Sequence, residues 1–163
     1  MFLIMEKKPK IVVLSGKIKT GKSSSLLNWI KHKKVSGFLT PTIEGRKEFY
    51  DIEKEAYYPY QLEKKTSDSV IIGDFILNKN TFKLSNIIIK ESSQKKFDWI
   101  IIDEIGKLEL QNKGHNILFK KLLRNSNSNL LIVVRSNLLD EVIIKYNLNE
   151  INIIGIDDLR ELY

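Results

Sequence analysis

Uninterrupted apolar runs alternate with amphipathic segments along most of the chain. The first predicted strand, at residues 9–15, contains the run Ile11–Leu14, which is typical of a central strand buried on both faces, because such strands show no polar alternation. Further strands are predicted at 35–40, 99–102, 130–134 and 151–154, and helices at about 21–33, 80–95, 114–125 and 137–146, with a short helix or tail at 157–163. This order predicts an α/β fold with a mostly parallel central sheet, flanked by helices and joined by right-handed crossovers.

The stretch at about 42–75 has a different pattern, because aromatic residues alternate there with charged ones in short pieces. We interpret it as two or three short antiparallel strands, a small β insertion within a single domain of residues 1–163. Packing between paired strands is the commoner reason for such aromatic residues, and stacking on a base or on RNA is the alternative.

Composition restricts the classes of function. The 163 residues include 27 Lys and Arg against 20 Asp and Glu, a net charge of +7 that suits polyphosphate or nucleic-acid partners. The lysines form scattered short runs typical of solvated helix ends, so a nucleic-acid partner is compatible with the chain but not predicted. No cysteine is present, which excludes disulfides, cysteine-ligated zinc and thiol catalysis, and fits a reducing cytoplasm.

Targeting and metal-binding signals are weak. The apolar run Met1–Met5 is too short for a signal peptide and its charges follow it, and no apolar run reaches membrane-spanning length. We therefore expect a cytoplasmic protein with no membrane partner. His32 and His115 lie among polar residues and are expected to be exposed, and the chain has no His/Cys cluster for structural zinc.

Residues Gly16–Ser23 read G-x-x-x-x-G-K-S between the first predicted strand and the first predicted helix. A loop of this kind directs several backbone N–H groups and the positive end of a helix dipole at one point, which suits a phosphate group. Lys22 is placed to reach the outer phosphates and Ser23 to ligate Mg²⁺. The predicted nucleotide-binding residues are Gly16, Lys17, Ile18, Lys19, Thr20, Gly21, Lys22, Ser23 and Ser24.

A second site is predicted at the end of the strand 99–102, where Asp103 and Glu104 follow three isoleucines. In phosphate-binding loop enzymes a buried strand supplies the Asp that holds Mg²⁺ together with the loop Ser or Thr. Ser23 and Asp103 are therefore the predicted metal ligands. An acid directly after that Asp can polarise the attacking water, which makes Glu104 the candidate general base.

Phosphoryl transfer builds negative charge, so a further cation near the γ-phosphate would raise the rate. Lys107 lies three residues after Glu104, and Arg135 ends the strand 130–134, where ligands meet open α/β sheets. Together with Lys22 and Glu104 they form the predicted catalytic set. Arg46, in the β insertion, is a weaker candidate.

The segment Asp103–Leu110, DEIGKLEL, resembles the D-E-I-G-K-M-E-L signature of the cancer-related, THEP-type nucleoside-triphosphatases. Gly37–Thr40 is similar to the G-F-x-T strand of that family, Gly45-Arg46 to its G-x-R hairpin, and Val133–Arg135 to its late strand. The resemblance implies a RecA-like fold and slow, Mg²⁺-dependent hydrolysis of nucleoside triphosphates with loose base selectivity. It also implies phosphate and metal binding by Lys22 and Ser23, metal support by Asp103, and a general base at Glu104.

The chain departs from this family pattern at four places. The loop interior, Lys17–Thr20, lacks the additional glycine that is usual in the family, and Ser23 replaces a threonine of equivalent chemistry. Thr42 stands where the family has an acid, and the second glycine of the hairpin is missing. In addition, Asn78–Thr81 fails the N-K-x-D guanine motif because Thr81 replaces the aspartate, so we predict no sharp guanine preference.

Three functions fit the sequence. The first is an enzyme that hydrolyses the γ-phosphate of ATP or other nucleoside triphosphates. The second is a small-substrate or nucleotide kinase, which the few arginines and the missing arginine cluster argue against. The third is a nucleotide-dependent, RNA-associated binding module, which would show salt-dependent RNA binding. We expect the hydrolase, and the sequence leaves any protein partner open.

Overall fold

The central layer of the computed structural model, which describes residues 8–163, is an eight-stranded sheet. The apolar run Met1–Met5 lies outside the described residues. The strands are β1 (Ile11–Gly16), β2 (Val35–Leu39), β3 (Thr42–Ile43), β4 (Arg46–Asp51), β5 (Ala56–Pro59), β6 (Ser69–Ile72), β7 (Phe75–Asn78), β8 (Trp99–Ile102), β9 (Asn129–Arg135) and β10 (Ile151–Ile154). The helices are α1 (Lys22–Trp29), α2 (Lys79–Ser93), α3 (Lys107–Leu110), α4 (Asn116–Asn125) and α5 (Leu139–Tyr146), with 3₁₀ turns at Ser136–Leu138 and Ile156–Glu161.

Five neighbouring strands of the sheet are parallel, in the order β10-β1-β9-β8-β2. Strand β4 continues the sheet antiparallel to β2, and β3 and β5 both pair with β4. The predicted α/β class with a mostly parallel sheet is confirmed. Because the five parallel strands run the same way, their carboxyl ends meet at one edge, and the candidate site lies there.

Successive strand residues pack into two hydrophobic layers, one on each face of the sheet. Ile100 and Ile102 join Phe119 of α4 in one layer, whereas Ile101 packs with Leu26 of α1 in the other. All five residues are fully buried. This two-sided burial is the reason that β8 is apolar at every position.

Strands β2 and β8 approach each other closely at Gly37, which has a φ of +107°. A Cβ atom there would overlap the backbone carbonyl of Ile101. The site edge therefore depends on a glycine in mid-strand, since this φ also disfavours other residues.

The predicted antiparallel β insertion is confirmed, but it has more strands than predicted and part of it joins the central sheet. It contains five strands rather than two or three, and three of them extend the central sheet through β4. Only β6 and β7 form a separate two-stranded sheet. The reason is aromatic packing across strands, since Phe49 of β4 stacks on Phe38 of β2 at a centroid distance of 5.1 Å.

Helix α1 ends at Trp29 and is therefore shorter than the predicted helix at 21–33. The chain turns at His32, whose φ of +63° is incompatible with a continuing helix. No helix within residues 8–163 has both the length and the apolar composition that crossing a membrane requires.

Candidate active site

The candidate site is assembled from segments that follow four strands at one edge of the sheet. Gly16 ends β1, Thr40 follows β2, Asp103 follows β8 and Arg135 ends β9. Two of these strands, β1 and β8, are separated by β9. The glycine-bounded segment after β1 and Asp103 after β8 thus lie at the same edge, although they are far apart in sequence.

The loop Gly16–Ser23, called the glycine-bounded loop below, connects β1 to α1. Gly21 precedes the helix with a φ of +79°, and its carbonyl accepts the amide of Ser25 at 2.9 Å. At Gly16 a Cβ atom would lie 3.3 Å from the hydroxyl of Thr20, which is tighter than an ordinary contact. The conformation at Gly21 therefore favours glycine, and a side chain at Gly16 would press on the Thr20 hydroxyl.

Lys22 turns back over the glycine-bounded loop and is 9% exposed. Its Nζ donates to the carbonyls of Gly16 at 3.1 Å and Lys17 at 2.6 Å, and to the hydroxyl of Thr20 at 3.3 Å. Burial lowers the pKa of this ammonium group, and the carboxylates of Glu104 and Asp103 oppose that effect. The charge is therefore held at the centre of the loop.

The interior of the glycine-bounded loop places a lysine in a conformation that favours glycine. Lys19 adopts a φ of +59°, a left-handed conformation that costs a residue other than glycine about 1 kcal/mol. The hydroxyl of Thr20 bridges the loop by donating to the carbonyl of Lys17 at 2.9 Å. Lys17, Ile18, Lys19 and Thr20 are all exposed, as is Ser24 in the first turn of α1.

Asp103 links the glycine-bounded loop to the end of β8. The hydroxyl of Ser23 donates to its Oδ2 at 2.5 Å, and the amide of Thr40 donates to the same oxygen at 2.9 Å. The Thr40 hydroxyl also donates to the Asp103 carbonyl at 3.2 Å. With 3% exposure, this carboxylate is held in one position by groups from two other segments.

Glu104 contacts a different set of groups from its neighbour Asp103. Its Oε1 lies 2.8 Å from Nε of Arg135, and both side chains are about one quarter exposed, at 24% and 26%. Burial raises the pKa of the Glu104 carboxyl, while the positive charges of Arg135, Lys47 and Lys22 lower it. The site thus holds a partly exposed carboxylate beside an arginine.

The oxygen atoms of Ser23 and Asp103 fit a magnesium ion. Mg²⁺ prefers hard oxygen ligands and is usually bound by one or two carboxylates together with substrate phosphates. The direct 2.5 Å contact between the Ser23 hydroxyl and the Asp103 carboxylate brings two such oxygens together next to the glycine-bounded loop. These two residues are able to share one cation.

The structure does not join Lys107 to this cluster. It is the first residue of α3 and is exposed. Among the described residues, no hydrogen bond or ion pair connects its side chain to Asp103 or Glu104. Its catalytic role stays a prediction. Arg46 forms an ion pair with Glu63 on the exposed hairpin.

Two groups near the site were not predicted from the sequence. Lys47 of β4 is close enough for its charge to act on both Glu104 and Lys22. Tyr60 is buried, which raises the pKa of its phenol, and the charges of Asp103 and Glu104 add to that effect. No motif marks either residue, and only their position next to the strand ends reveals them.

The prediction that His115 is exposed is wrong, since 3% of this residue is accessible. Its ring stacks on Phe82 at a centroid distance of 4.8 Å, and its Nδ1 lies 2.9 Å from Oδ1 of Asn86. Burial lowers its pKa to about 4. The polar residues next to His115 in sequence suggest exposure. The residue is buried because it lies at the start of α4, where α4 contacts α2. His32 is exposed, as predicted.

Two solved structures resemble this fold over nearly its whole length. THEP1 from the hyperthermophile Aquifex aeolicus matches with a TM-score of 0.74 and 17% identity, over 94% of this chain and 96% of that chain. A human cancer-related nucleoside triphosphatase matches with a TM-score of 0.68 and 16% identity, over 93% of this chain and 94% of that chain. No curated protein sequence matches the chain.

The sequence itself matches a family model over most of its length. The model, described as NTPase, covers residues 11–158, which include the glycine-bounded loop and the segment Asp103–Leu110. The resemblance suggested by that segment is thereby confirmed. The chain belongs to the NTPase family and is a nucleoside-triphosphate hydrolase.

Proposed function

We propose that the protein hydrolyses the γ-phosphate of nucleoside triphosphates in a Mg²⁺-dependent reaction, with loose selectivity for the base. The observation that carries this proposal is the contact between Ser23 and Asp103, with Glu104 beside it. It supports a site in which a phosphate-binding loop, a metal-binding pair and a carboxylate serve one reaction.

The glycine-bounded loop binds the triphosphate in this proposal. Its backbone amides and the start of α1 favour an anion, and the Lys22 ammonium adds a full positive charge. In the present geometry that ammonium makes three hydrogen bonds to the loop itself. It is able to exchange these for oxygens of the β- and γ-phosphates, which neutralises charge as the transition state forms.

Ser23 and Asp103 would hold the magnesium ion. When bound, the ion neutralises the phosphate oxygens and orients the γ-phosphate. Thr40 keeps the Asp103 carboxylate in place through its amide, at 2.9 Å. Asp103 is thus fixed both by the residue that follows β2 and by Ser23 of the glycine-bounded loop.

Glu104 is the proposed general base. A carboxylate with part of its surface exposed is able to accept a proton from a water molecule that attacks the γ-phosphate in line. Arg135, at 2.8 Å, orients that carboxylate and supplies positive charge at the same edge. Lys47 adds a second positive charge that acts on Glu104.

Phosphate release tests the proposal. Wild type with Mg²⁺ and ATP, GTP, CTP or UTP should release phosphate without an added acceptor, and chelation of Mg²⁺ should abolish release. Lys22→Ala should lose both nucleotide binding and activity, whereas Glu104→Gln should lose activity by about 100-fold or more and keep binding. Matched controls are Lys10→Ala and Glu150→Gln, both exposed at the opposite edge of the sheet. They should behave as wild type.

Two results would count against the proposal. A Glu104→Gln protein with the wild-type rate would remove the general-base role. Release of phosphate only after addition of an acceptor molecule would favour a kinase instead. A flat rate across the four nucleotides supports loose base selectivity, and a strong preference for one of them contradicts it.

A further inference from the structure

We propose that Glu109 is a positioning residue, whose carboxylate fixes the segment that carries Glu104 and thereby aims the Glu104 carboxylate. The inference rests on the proposed function, because it concerns the general base of the same reaction. Glu109 itself touches neither the glycine-bounded loop nor the Ser23–Asp103 pair through any hydrogen bond in residues 8–163.

The Glu109 carboxylate is buried, with 4% of the residue exposed, and it binds two separate backbone amides. The amide of Gly106 donates to Oε2 and the amide of His115 donates to Oε1, both at 2.9 Å. Gly106 precedes α3 and His115 precedes α4. One side chain thus fixes the start of two helices at a shared point.

A cation does not compensate this buried charge. Among the described residues, no Lys, Arg or His side chain lies within ion-pair distance of Glu109. A buried carboxylate without a cation is costly, so the hydrogen bonds from the two amides are what stabilise it in place. Gly114 makes room for it, since a Cβ atom there would overlap Oε1 of Glu109.

The connection to Glu104 is short and continuous. The amide of Ile105 donates to the carbonyl of Val133 at 2.9 Å, and the next amide, of Gly106, is the one that Glu109 binds. The carboxylate of Glu104 lies against this same glycine, because a Cβ atom on Gly106 would be only 3.2 Å from Oε1 of Glu104. Displacement of Gly106 would therefore displace the general base.

The other end of the contact is rigid. His115 is packed between aromatic rings, with centroid distances of 4.8 Å to Phe82 and 5.3 Å to Phe38. Its Nδ1 lies 2.9 Å from Oδ1 of Asn86 in α2. The Gly106 amide is thus linked through Glu109 to the hydrophobic core and not to a mobile surface group.

The chemistry requires a carboxylate at position 109. Both partners are N–H donors, so both side-chain oxygens must accept. Glutamine has the same shape but would place an NH₂ group against one of the two amides. Glu109→Gln should therefore release either Gly106 or His115 with little change in volume.

The test compares the full-length wild type with Glu109→Gln and Gly114→Ala. We expect kcat for phosphate release from MgATP to fall about 10- to 100-fold in both variants, because small misplacements of a catalytic group have effects of that size. KM should stay within about threefold of wild type, since the nucleotide-binding loop is unchanged. Amide hydrogen exchange at Ile105–Lys107 should become faster in Glu109→Gln.

Ser128→Ala is the matched control for loss of a buried hydrogen bond. The Ser128 hydroxyl accepts the amide of Phe97 at 2.8 Å, at the opposite edge of the sheet. This variant should lower the melting temperature and leave kcat unchanged. A wild-type kcat in folded Glu109→Gln, or an equal fall of kcat in Ser128→Ala, would overturn the positioning role.

The exchange measurement separates this inference from the proposed function. Absence of phosphate release from wild type is a failure of the proposed function. Unchanged exchange at Ile105–Lys107 in Glu109→Gln is a failure of the positioning role, and it can be seen without any activity. If Glu109→Gln does not fold, Gly114→Ala displaces the same carboxylate and decides the question through kcat and exchange.

Discussion

The buried imidazole of His115 makes the stability of the protein depend on pH. Burial lowers its pKa from 6.5 to about 4. The ring lies between Phe82 and Phe38, with Asn86 and Ser85 as its polar neighbours, so a second proton would place a charge among aromatic rings. The unfolded chain takes up that proton more readily than the folded chain.

The sign and size of the effect follow from this difference. Because the folded pKa of His115 is below the unfolded one, its contribution to stability is full above pH 6.5 and is lost as the pH falls towards about 4. Each pKa unit corresponds to about 1.36 kcal/mol, so the whole shift amounts to about 3.4 kcal/mol. Between about pH 7.5 and about pH 5, His115 should account for a loss of about 2 kcal/mol.

Urea unfolding of wild type and His115→Gln at these two pH values measures this loss. The carboxyls of Glu104 and Glu109 have raised pKa values, and they act in the opposite direction, because they stabilise the folded chain at low pH. Glu109 is the charged group that faces His115, through the backbone amide. Both acids are present in both proteins. The change in the free energy of unfolding between the two pH values therefore differs between the proteins only through the imidazole of His115.

The matched control is His32→Gln, because the side chain of His32 is exposed to solvent in the folded protein. Between the two pH values, the free energy of unfolding of this variant should change as much as that of wild type. His115→Gln is expected to lose about 2 kcal/mol less than wild type on acidification, whatever its stability at neutral pH. An equal loss in wild type and His115→Gln would refute the reasoning from burial.

Two further variants test the sheet edge that carries the site. Gly37→Ala should destabilise the fold by about 3 kcal/mol or more in urea unfolding, because its Cβ would overlap the Ile101 carbonyl and a φ of +107° disfavours alanine; wild-type stability would contradict this. Arg135→Ala should lower kcat for phosphate release about 10- to 100-fold with nucleotide binding kept, since it removes the cation 2.8 Å from Glu104. An unchanged or raised kcat would show that the ion pair is not needed for hydrolysis.

The sequence predicts the strands and the site edge well, for a physical reason. Strands that are buried on both faces leave continuous apolar runs, as at Ile100–Ile102, and the residue after each run lies at the carboxyl edge. Asp103 is predicted in this way, whereas the glycine-bounded loop is predicted by its G-x-x-x-x-G-K-S motif. Their contact through Ser23 follows from parallel strands whose ends share one edge.

The polar residues in the core could not be predicted. Glu109 and His115 flank the mostly polar stretch Gln111–Gly114, and their burial arises from packing between α2, α3 and α4. Hydrophobic periodicity assigns such residues to the surface, because it contains no information on hydrogen-bond partners. The sequence also does not predict that β4 extends the central sheet. Pairing between β2 and β4 depends on tertiary contacts, which the alternation of residues within one strand does not specify.

The short segment after β8 shows why its residue types cannot be exchanged freely. Asp103 contacts Ser23, Glu104 contacts Arg135 and Glu109 contacts the backbone of Gly106. Each is an acid, but the first faces a hydroxyl and the second a cation, whereas the third faces two amides. Because α3 begins at Lys107, Glu109 occupies the third helical position, from which a side chain reaches back to the residue before the helix. The interval between the proposed base and its positioning residue is therefore set by helix geometry.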